Sequence, residues 1–360
     1  MLRPGRRIKG TVVLITGATS GIGRASAHRF SEEGADLVLA ARSSRDLDAV
    51  AAECERSGAR VLTVQTDVGD EDDVRALASA GVERFGRIDT WINNAGVIAY
   101  GDFEQMPSDV FDKVIRTNLL GQVYGARAAL TQFRRQGGGT LVNLSSVWAR
   151  VTSPYVVPYV VSKHAARAFS TCLRLGLATG EGAEGIHVCA VVPESVDTPI
   201  FEHAANYTGR EVKPVAPVIG PDRTARAIVS CVRRPRAEIT IGQVGHSVAI
   251  GAGLIPRQLF ERIAPKLFEM TALNGHPTDD GPGNLFEPTA NRLDGGWRRR
   301  MGARAGRGAI VAAATAAMAG GLIARHARHK RVIPDLKRNR GDDSGGCFAR
   351  VSPGNTLSRR

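Results

Sequence analysis

Along the first 245 residues, short continuous apolar runs alternate with longer stretches of helical period. The runs are Thr11–Ile15, Asp36–Ala41, Arg60–Gln65, Ile88–Ile92, Leu141–Leu144, Ile186–Val192 and Glu238–Ile241. Runs this short, rich in Val, Ile and Leu, read as strands buried on both faces, as in a parallel sheet. The stretches between them repeat their apolar positions every three to four residues. They cover Gly21–Glu33, Ser44–Ser57, Asp70–Phe85, a long segment containing Asn118 and ending at Gln136, Tyr159–Ala178 and Pro221–Val232. Gly58 and the cluster Gly137-Gly138-Gly139 stop two of the helices. Strict β/α alternation at this spacing predicts an α/β fold with a doubly wound parallel sheet.

The first strand runs straight into Thr16-Gly17-Ala18-Thr19-Ser20-Gly21-Ile22-Gly23 and then a helix. Strand, glycine turn and helix N-terminus form a phosphate-binding layout, because backbone N–H groups can approach a pyrophosphate there. The spacing Gly-x-x-x-Gly-x-Gly differs from the commoner Gly-x-Gly-x-x-Gly of Rossmann dinucleotide folds. The second strand ends in Ala40-Ala41-Arg42, with no carboxylate to take a ribose 2′-hydroxyl; an arginine there suits a 2′-phosphate, so NADP is expected over NAD. Asp67, just past the third strand, is placed to accept from an adenine amino group or to cap the next helix. The fourth strand ends in Asn93-Asn94-Ala95-Gly96, small and amide residues suited to a ligand crevice or to an ordinary turn.

Tyr159 and Lys163 stand four apart, one helical turn above each other on the same face. A nearby ammonium favours the phenolate. Lowering a tyrosine pKa by about two units takes about 2.7 kcal/mol of differential interaction. The pair therefore predicts a tyrosine able to exchange protons near neutrality. Alone, the spacing more often marks a half-buried aromatic beside a solvated lysine.

Together these motifs resemble the short-chain dehydrogenases/reductases over roughly residues 8–245. The residues that carry the resemblance are Thr16-Gly17-x-x-x-Gly21-Ile22-Gly23, Asp67, Asn93-Asn94-Ala95-Gly96, Asn118, Ser146, Tyr159-x-x-x-Lys163 and Pro193-x-x-x-x-Thr198, in family order. The resemblance implies a Rossmann fold and a catalytic tetrad. Tyr159 would be the acid/base and Lys163 its modulator and ribose ligand. Ser146 would donate to the substrate carbonyl, and Asn118 would position a relay water. It implies cofactor contacts from Thr16, Gly17, Ser20, Gly21, Ile22, Gly23, Arg42, Asp67, Val68, Asn94, Ala95, Gly96, Tyr159, Lys163, Pro193, Val196 and Thr198. The expected activity is hydride transfer between NADP(H) and a ketone, aldehyde or secondary alcohol by a homo-oligomer, dimer or tetramer. The alternative is a dinucleotide-binding regulatory or scaffold protein without turnover. Glu194 stands where the family has glycine; it is expected to point harmlessly into solvent, with entry into the pocket as the alternative. Residues 199–220, with His203, Asn206 and Tyr207, fall where the family has a variable substrate lid.

Composition changes the picture mainly at the C-terminus. The 360 residues carry a net charge of +13, but residues 291–360 hold 16 of the 48 Lys/Arg and only 4 of the 35 Asp/Glu, so nearly all the excess lies there. Five scattered cysteines with no Cys-x-x-Cys pair argue against a metal site or a disulfide framework and fit a reducing, cytoplasmic compartment. The apolar run that ends at Ile15 is too short for a signal peptide. Expected beyond the 1–245 catalytic domain are a helical substrate-side extension (246–270), a linker (271–307), an apolar helix (308–324) and a disordered basic tail (325–360). The 17 uncharged residues of 308–324 are at the lower limit for a membrane span. Membrane association through them and a soluble helix are weighed evenly, and no nucleic-acid partner is expected.

Overall fold

The computed structural model describes residues 6–242, 244–289 and 292–301. Strand β1 (Val12–Thr16) leads to α1 (Gly21–Glu32), β2 (Asp36–Ala41), α2 (Ser44–Glu55), β3 (Val61–Gln65), α3 (Glu71–Phe85) and β4 (Thr90–Asn93). A short β5 (Ala99–Gly101) precedes α4 (Ser108–Ile115), one π-helical turn (Arg116–Leu120), α5 (Gly121–Gln136) and β6 (Gly139–Leu144). Then come α6 (Val157–Thr179), β7 (Ile186–Pro193), β8 (Ala205–Tyr207), α7 (Pro221–Arg233), β9 (Glu238–Ile241), α8 (Val244–Leu254), α9 (Arg257–Ala272) and α10 (Trp297–Met301). Seven strands form one parallel sheet in the order β3-β2-β1-β4-β6-β7-β9, as the alternation predicts, and β5 pairs with β8 in a separate two-stranded sheet.

The order reverses between β1 and β4, which opens a crevice beyond their C-terminal ends. Apolar side chains fill both faces of the sheet. Ile15, Phe30, Leu37 and Leu39 lie in one core; Leu14, Leu77, Trp91 and Phe133 lie in the other. A buried polar chain ties the strand ends together. Trp91 Nε1 donates to Asn93 Oδ1 (2.8 Å), Asn93 Nδ2 to Asn143 Oδ1 (2.9 Å), and Asn143 Nδ2 to Ser170 Oγ of α6 (3.0 Å). Fully satisfied, such a network fixes the register of β4, β6 and the Tyr159 helix against one another.

The stretch that reads as a linker is largely packed onto the domain. Gly281 and Asn206 exchange backbone bonds of 2.9 and 2.8 Å. Leu285 is fully buried beside Val97, Ala99, Met106 and Val110. Trp297 is 3% exposed. The glycines that suggest a linker instead permit close approach: a Cβ on Gly283 (φ +54°) would overlap the His203 carbonyl. Helix α9 lies on the side of Tyr159, where Phe268 packs with Tyr100, Trp148 and Tyr155. Among the described residues no helix is long and apolar enough to cross a membrane. The 308–324 segment and the basic tail lie outside the described residues.

Candidate active site

The β1–α1 turn is shaped by its glycines. Gly17 (φ +64°) sits so close to β4 that a Cβ would stand 2.8 Å from Ala95 Cα. On Gly21 (φ +50°) it would stand 2.7 Å from Thr198 Cγ2, and on Gly23 it would overlap the Gly17 carbonyl. Asn94 pins the turn, its Nδ2 donating to the carbonyls of Thr16 (2.9 Å) and Gly17 (3.0 Å). Thr16 Oγ1 accepts from the N–H groups of Asn94 and Ala95. Ser20 precedes α1 with its hydroxyl making no capping bond. An uncapped helix N-terminus beside a side-chain-free cradle fits the pyrophosphate of a dinucleotide.

One cleft runs from this turn across the sheet. Its lining includes Gly17, Ser20, Gly21, Ile22, Arg42, Asp67, Val68, Asn94, Ala95, Gly96, Ser146, Tyr159, Lys163, Pro193, Val196 and Thr198. Thr16, Gly23 and Asn118 stand behind it and shape the wall. Asn118, in the π-helical turn, is fully buried. Its Oδ1 accepts from Val97 N (2.8 Å); its Nδ2 donates to Val97 O (2.9 Å) and Ser162 Oγ (3.1 Å). Gly96 lies between Asn118 and Lys163, and a Cβ there would be 3.3 Å from Asn118 Oδ1 and 3.6 Å from Lys163 Nζ.

Helix α6 carries Tyr159 and Lys163 to the cleft, and the turn after β6 brings Ser146. Lys163 is 4% exposed. Its Nζ donates to the Leu144 carbonyl (3.0 Å) and stands 5.4 Å from the Tyr159 ring centroid. Burial lowers the Lys163 pKa to about 8. Burial also pushes Tyr159 up to about 12, a rise that a hydrogen bond from Ser146 opposes. The expected near-neutral tyrosine is therefore corrected. Desolvation is the larger cause at Tyr159, ahead of the Ser146 bond, and it holds the phenol protonated at pH 7.

The helix-capping expectation for Asp67 and the solvent expectation for Glu194 also change. Asp67 has partners within the protein: Lys113 Nζ donates to its Oδ2 (2.6 Å) and Gly69 N to its Oδ1 (2.9 Å). Burial raises its pKa, but the Lys113 and Gly69 bonds prevail and hold it below the ordinary value. The cap of α3 is Asp70, not Asp67. Glu194 is 8% exposed, not solvated. Its backbone N–H donates to Ile241 O (3.0 Å), so β7 carries it inward, where its carboxylate packs against Gly242 (φ +102°).

The cleft gains residues that sequence reasoning missed. Asn284, Pro288 and Thr289 from the former linker line it, and Ile98 and Trp148 line its far end, where they meet Ile200, Phe201 and His203 of the stretch expected as a substrate lid. Thr289 Oγ1 is buried with no hydrogen-bond partner among the described residues. Among the described residues no group of three or more His, Cys, Asp or Glu could hold a metal.

A profile of the short chain dehydrogenase family matches residues 11–207. The chain belongs to this family. An oxidoreductase of Bacillus subtilis, YxnA, is 31% identical over 264 residues, 73% of each chain. Levodione reductase of Leifsonia aquatica is 38% identical over 204 residues, 56% of this chain and 75% of that one. Among solved structures, a short-chain type dehydrogenase/reductase from Mycobacterium marinum has a TM-score of 0.58 at 28% identity, covering 65% of this chain and 94% of that one. An alcohol dehydrogenase from the archaeon Thermococcus sibiricus, complexed with 5-hydroxy-NADP, has a TM-score of 0.55 at 28% identity, covering 65% and 96%. This short-chain dehydrogenase/reductase is an oxidoreductase of a family that binds NAD(P), and its extra length lies C-terminal to the shared fold.

Proposed function

We propose that the protein reduces an uncharged, largely apolar ketone or aldehyde, or oxidises the matching secondary alcohol, with NADP(H) as the preferred cofactor. The observation that carries this reading is the convergence of Ser146, Tyr159 and Lys163 at one end of a cleft whose other end holds Arg42. A bound nicotinamide supplies the hydride. Hydride arrival builds negative charge on the substrate oxygen, where two hydroxyl donors are worth most. Tyr159, held neutral by burial, is then a proton donor at pH 7, and Ser146 hydrogen-bonds the same phenol. Lys163 keeps a cation beside the tyrosine ring for most molecules at pH 7. Asn118 holds Val97 and Ser162 in place, so it is a positioning residue behind the pair.

The substrate class follows from the far wall. Ile98, Trp148, Ile200 and Phe201 are apolar, and burial lowers the pKa of His203, favouring its neutral form. Such a wall suits a neutral, hydrophobic carbonyl compound rather than a charged acid or a phosphate ester. NADP over NAD rests on Arg42 and on the lack of a carboxylate at the end of β2. Assembly as a dimer or tetramer is the family expectation, which light scattering tests.

The experiment is NADPH-dependent turnover of a panel of neutral ketones and aldehydes by wild type and Tyr159→Phe. Turnover that falls at least about a hundredfold in the variant, with NADPH still bound, supports the reading. Cofactor binding without turnover of any substrate, unaltered in the variant, would favour a dinucleotide-binding regulator.

A further inference from the structure

The Arg42 guanidinium is held by three backbone carbonyls of the C-terminal segment. Its Nη2 donates to Asn284 O (2.6 Å), and its Nη1 donates to Leu285 O (2.7 Å) and Phe286 O (3.3 Å). These carbonyls belong to a strap that is itself anchored. Gly281 pairs with Asn206, and Leu285 is fully buried under β5 and α4. Farther along the chain, the N–H groups of Trp297 and Arg298 donate to Asp197 (2.9 and 3.1 Å). Asn284 also donates from its backbone N–H to the His203 carbonyl (2.9 Å), so one residue touches both Arg42 and the wall of the substrate end.

Three carbonyl oxygens take three of the five donors of the guanidinium, and among the described residues only the more distant Asp67 and Glu287 offset its charge. A phosphate dianion does both, meeting the guanidinium with full negative charge where the carbonyls offer only dipoles. Carbonyl dipoles aimed at the same spot also repel an approaching phosphate. We infer that residues 281–289 are a cofactor-reading strap: the 2′-phosphate of NADP(H) competes with the 284–286 carbonyls for Arg42, so NADP(H) loosens the strap and its hold on His203, whereas NAD(H) leaves both in place. The inference rests on the proposed nicotinamide site. Coupling of this kind is reciprocal. Whatever factor the seated strap takes from NADP affinity, bound NADP takes from strap stability. Thr289 Oγ1, on the strap's last residue, is buried at the edge of the cleft with no hydrogen-bond partner among the described residues.

Amide hydrogen exchange on the full chain tests this directly, with saturating NADP+ and NAD+ in parallel. The expected result is that both cofactors slow exchange in the 16–23 turn, while NADP+ alone speeds exchange at Asn284 and Leu285, by roughly tenfold. Slowed exchange in the turn with an unchanged or slower strap under NADP+ would overturn the strap and leave the proposed function standing. No effect of either cofactor on the turn would overturn both. A second measurement uses Leu285→Ala, which removes the buried side-chain anchor and keeps the backbone carbonyl that Arg42 bonds. NADP+ should bind roughly tenfold tighter and NAD+ unchanged, and the gain should vanish when Arg42→Ser is added. Equal weakening of both cofactors by Leu285→Ala would make the strap a passive wall and sink the inference.

Discussion

Lys163 lies 5.4 Å from the Tyr159 ring centroid, and burial moves the two pKa values in opposite directions, the lysine to about 8 and the tyrosine to about 12. Both shifts favour the neutral form. Lysine has an ordinary value of 10.5, so between about pH 8 and 10.5 the unfolded chain holds more protons, and stability from Lys163 rises with pH. Tyrosine, with an ordinary value of 10.0, acts oppositely and loses stability as pH climbs from 10 toward 12. Urea unfolding of wild type and Lys163→Met from pH 7 to 10.5 isolates the first effect. The difference in unfolding free energy should move in favour of wild type across that window, by on the order of 1–3 kcal/mol. A difference that stays flat means the ammonium is not desolvated.

Ser146 hydrogen-bonds Tyr159 and also accepts from Trp148 N at 3.3 Å. Ser146→Ala removes a donor from the place where charge develops, and kcat should fall by roughly 10²–10³. The same bond favours the phenolate, so the ultraviolet titration of Tyr159 should move further up in the variant. An unmoved titration with reduced kcat would confine Ser146 to the substrate.

The sheet was legible because its strands are buried on both faces and its turns need glycine. The cleft was legible because its residues cluster at strand ends: Gly17 and Asn94 each follow a strand directly, and Ser146 lies one residue further on from β6. The strap was not. Gly281, Gly283 and Pro288 look like linker residues, and nothing in their local pattern records that Arg42, more than 240 positions earlier, is the partner of the segment they frame. Glu194 was misjudged for a related reason. Loop carboxylates are mostly exposed, but β7 pairs with β9 through Pro193 and carries the next residue inward. The pKa of Tyr159 depends on burial around the helix, which the four-residue spacing alone does not specify.

Two glycines that look alike in sequence should behave oppositely. A Cβ on Gly23 would overlap Gly17 O and stand 2.6 Å from Asn94 Nδ2, whereas Gly176 in α6 has nothing within 4 Å. Gly23→Ala should cost about 1–3 kcal/mol and weaken cofactor binding at least about tenfold. Gly176→Ala should gain about 0.5–1 kcal/mol, because alanine loses less backbone entropy in a helix. Thermal melts and cofactor titrations of the two variants check both signs. Normal cofactor affinity in Gly23→Ala would show that the turn can relax.

Glu238 on β9 pairs with Arg150 and Arg167, joining the sheet edge to the Ser146 turn and to α6. Burial raises its pKa, but the Arg167 and Arg150 interactions prevail and hold it below 4.5. A lowered carboxylate stabilises the fold above its unfolded pKa and loses that contribution as pH falls through the folded one. Glu238→Gln should therefore cost about 1–3 kcal/mol at pH 7, and less as pH drops below about 4.5, where wild type converges on the variant. Chemical denaturation at pH 7, 5 and 3.5 reads this. A constant gap would assign the loss to packing rather than charge.

Asp197 is 3% exposed and accepts the N–H groups of Trp297 and Arg298 with its two carboxylate oxygens. Helix α10 is five residues long and too short to hold itself, so these two bonds, the burial of Trp297 and the Arg300–Glu202 ion pair (3.0 Å) seat it. Asp197→Asn replaces one acceptor by an amide that faces a donor, at a cost of about 1–3 kcal/mol. The seven-stranded sheet lies elsewhere, so the loss should appear first as local release. Trp297 is one of three tryptophans, and the emission of the protein should shift to the red. Trypsin should cut at the exposed Arg298, Arg299 and Arg300 several-fold faster, well before the global unfolding midpoint. Unchanged emission together with unchanged cleavage would mean that the Phe201–Trp297 ring contact, with centroids 6.3 Å apart, holds the segment without the caps.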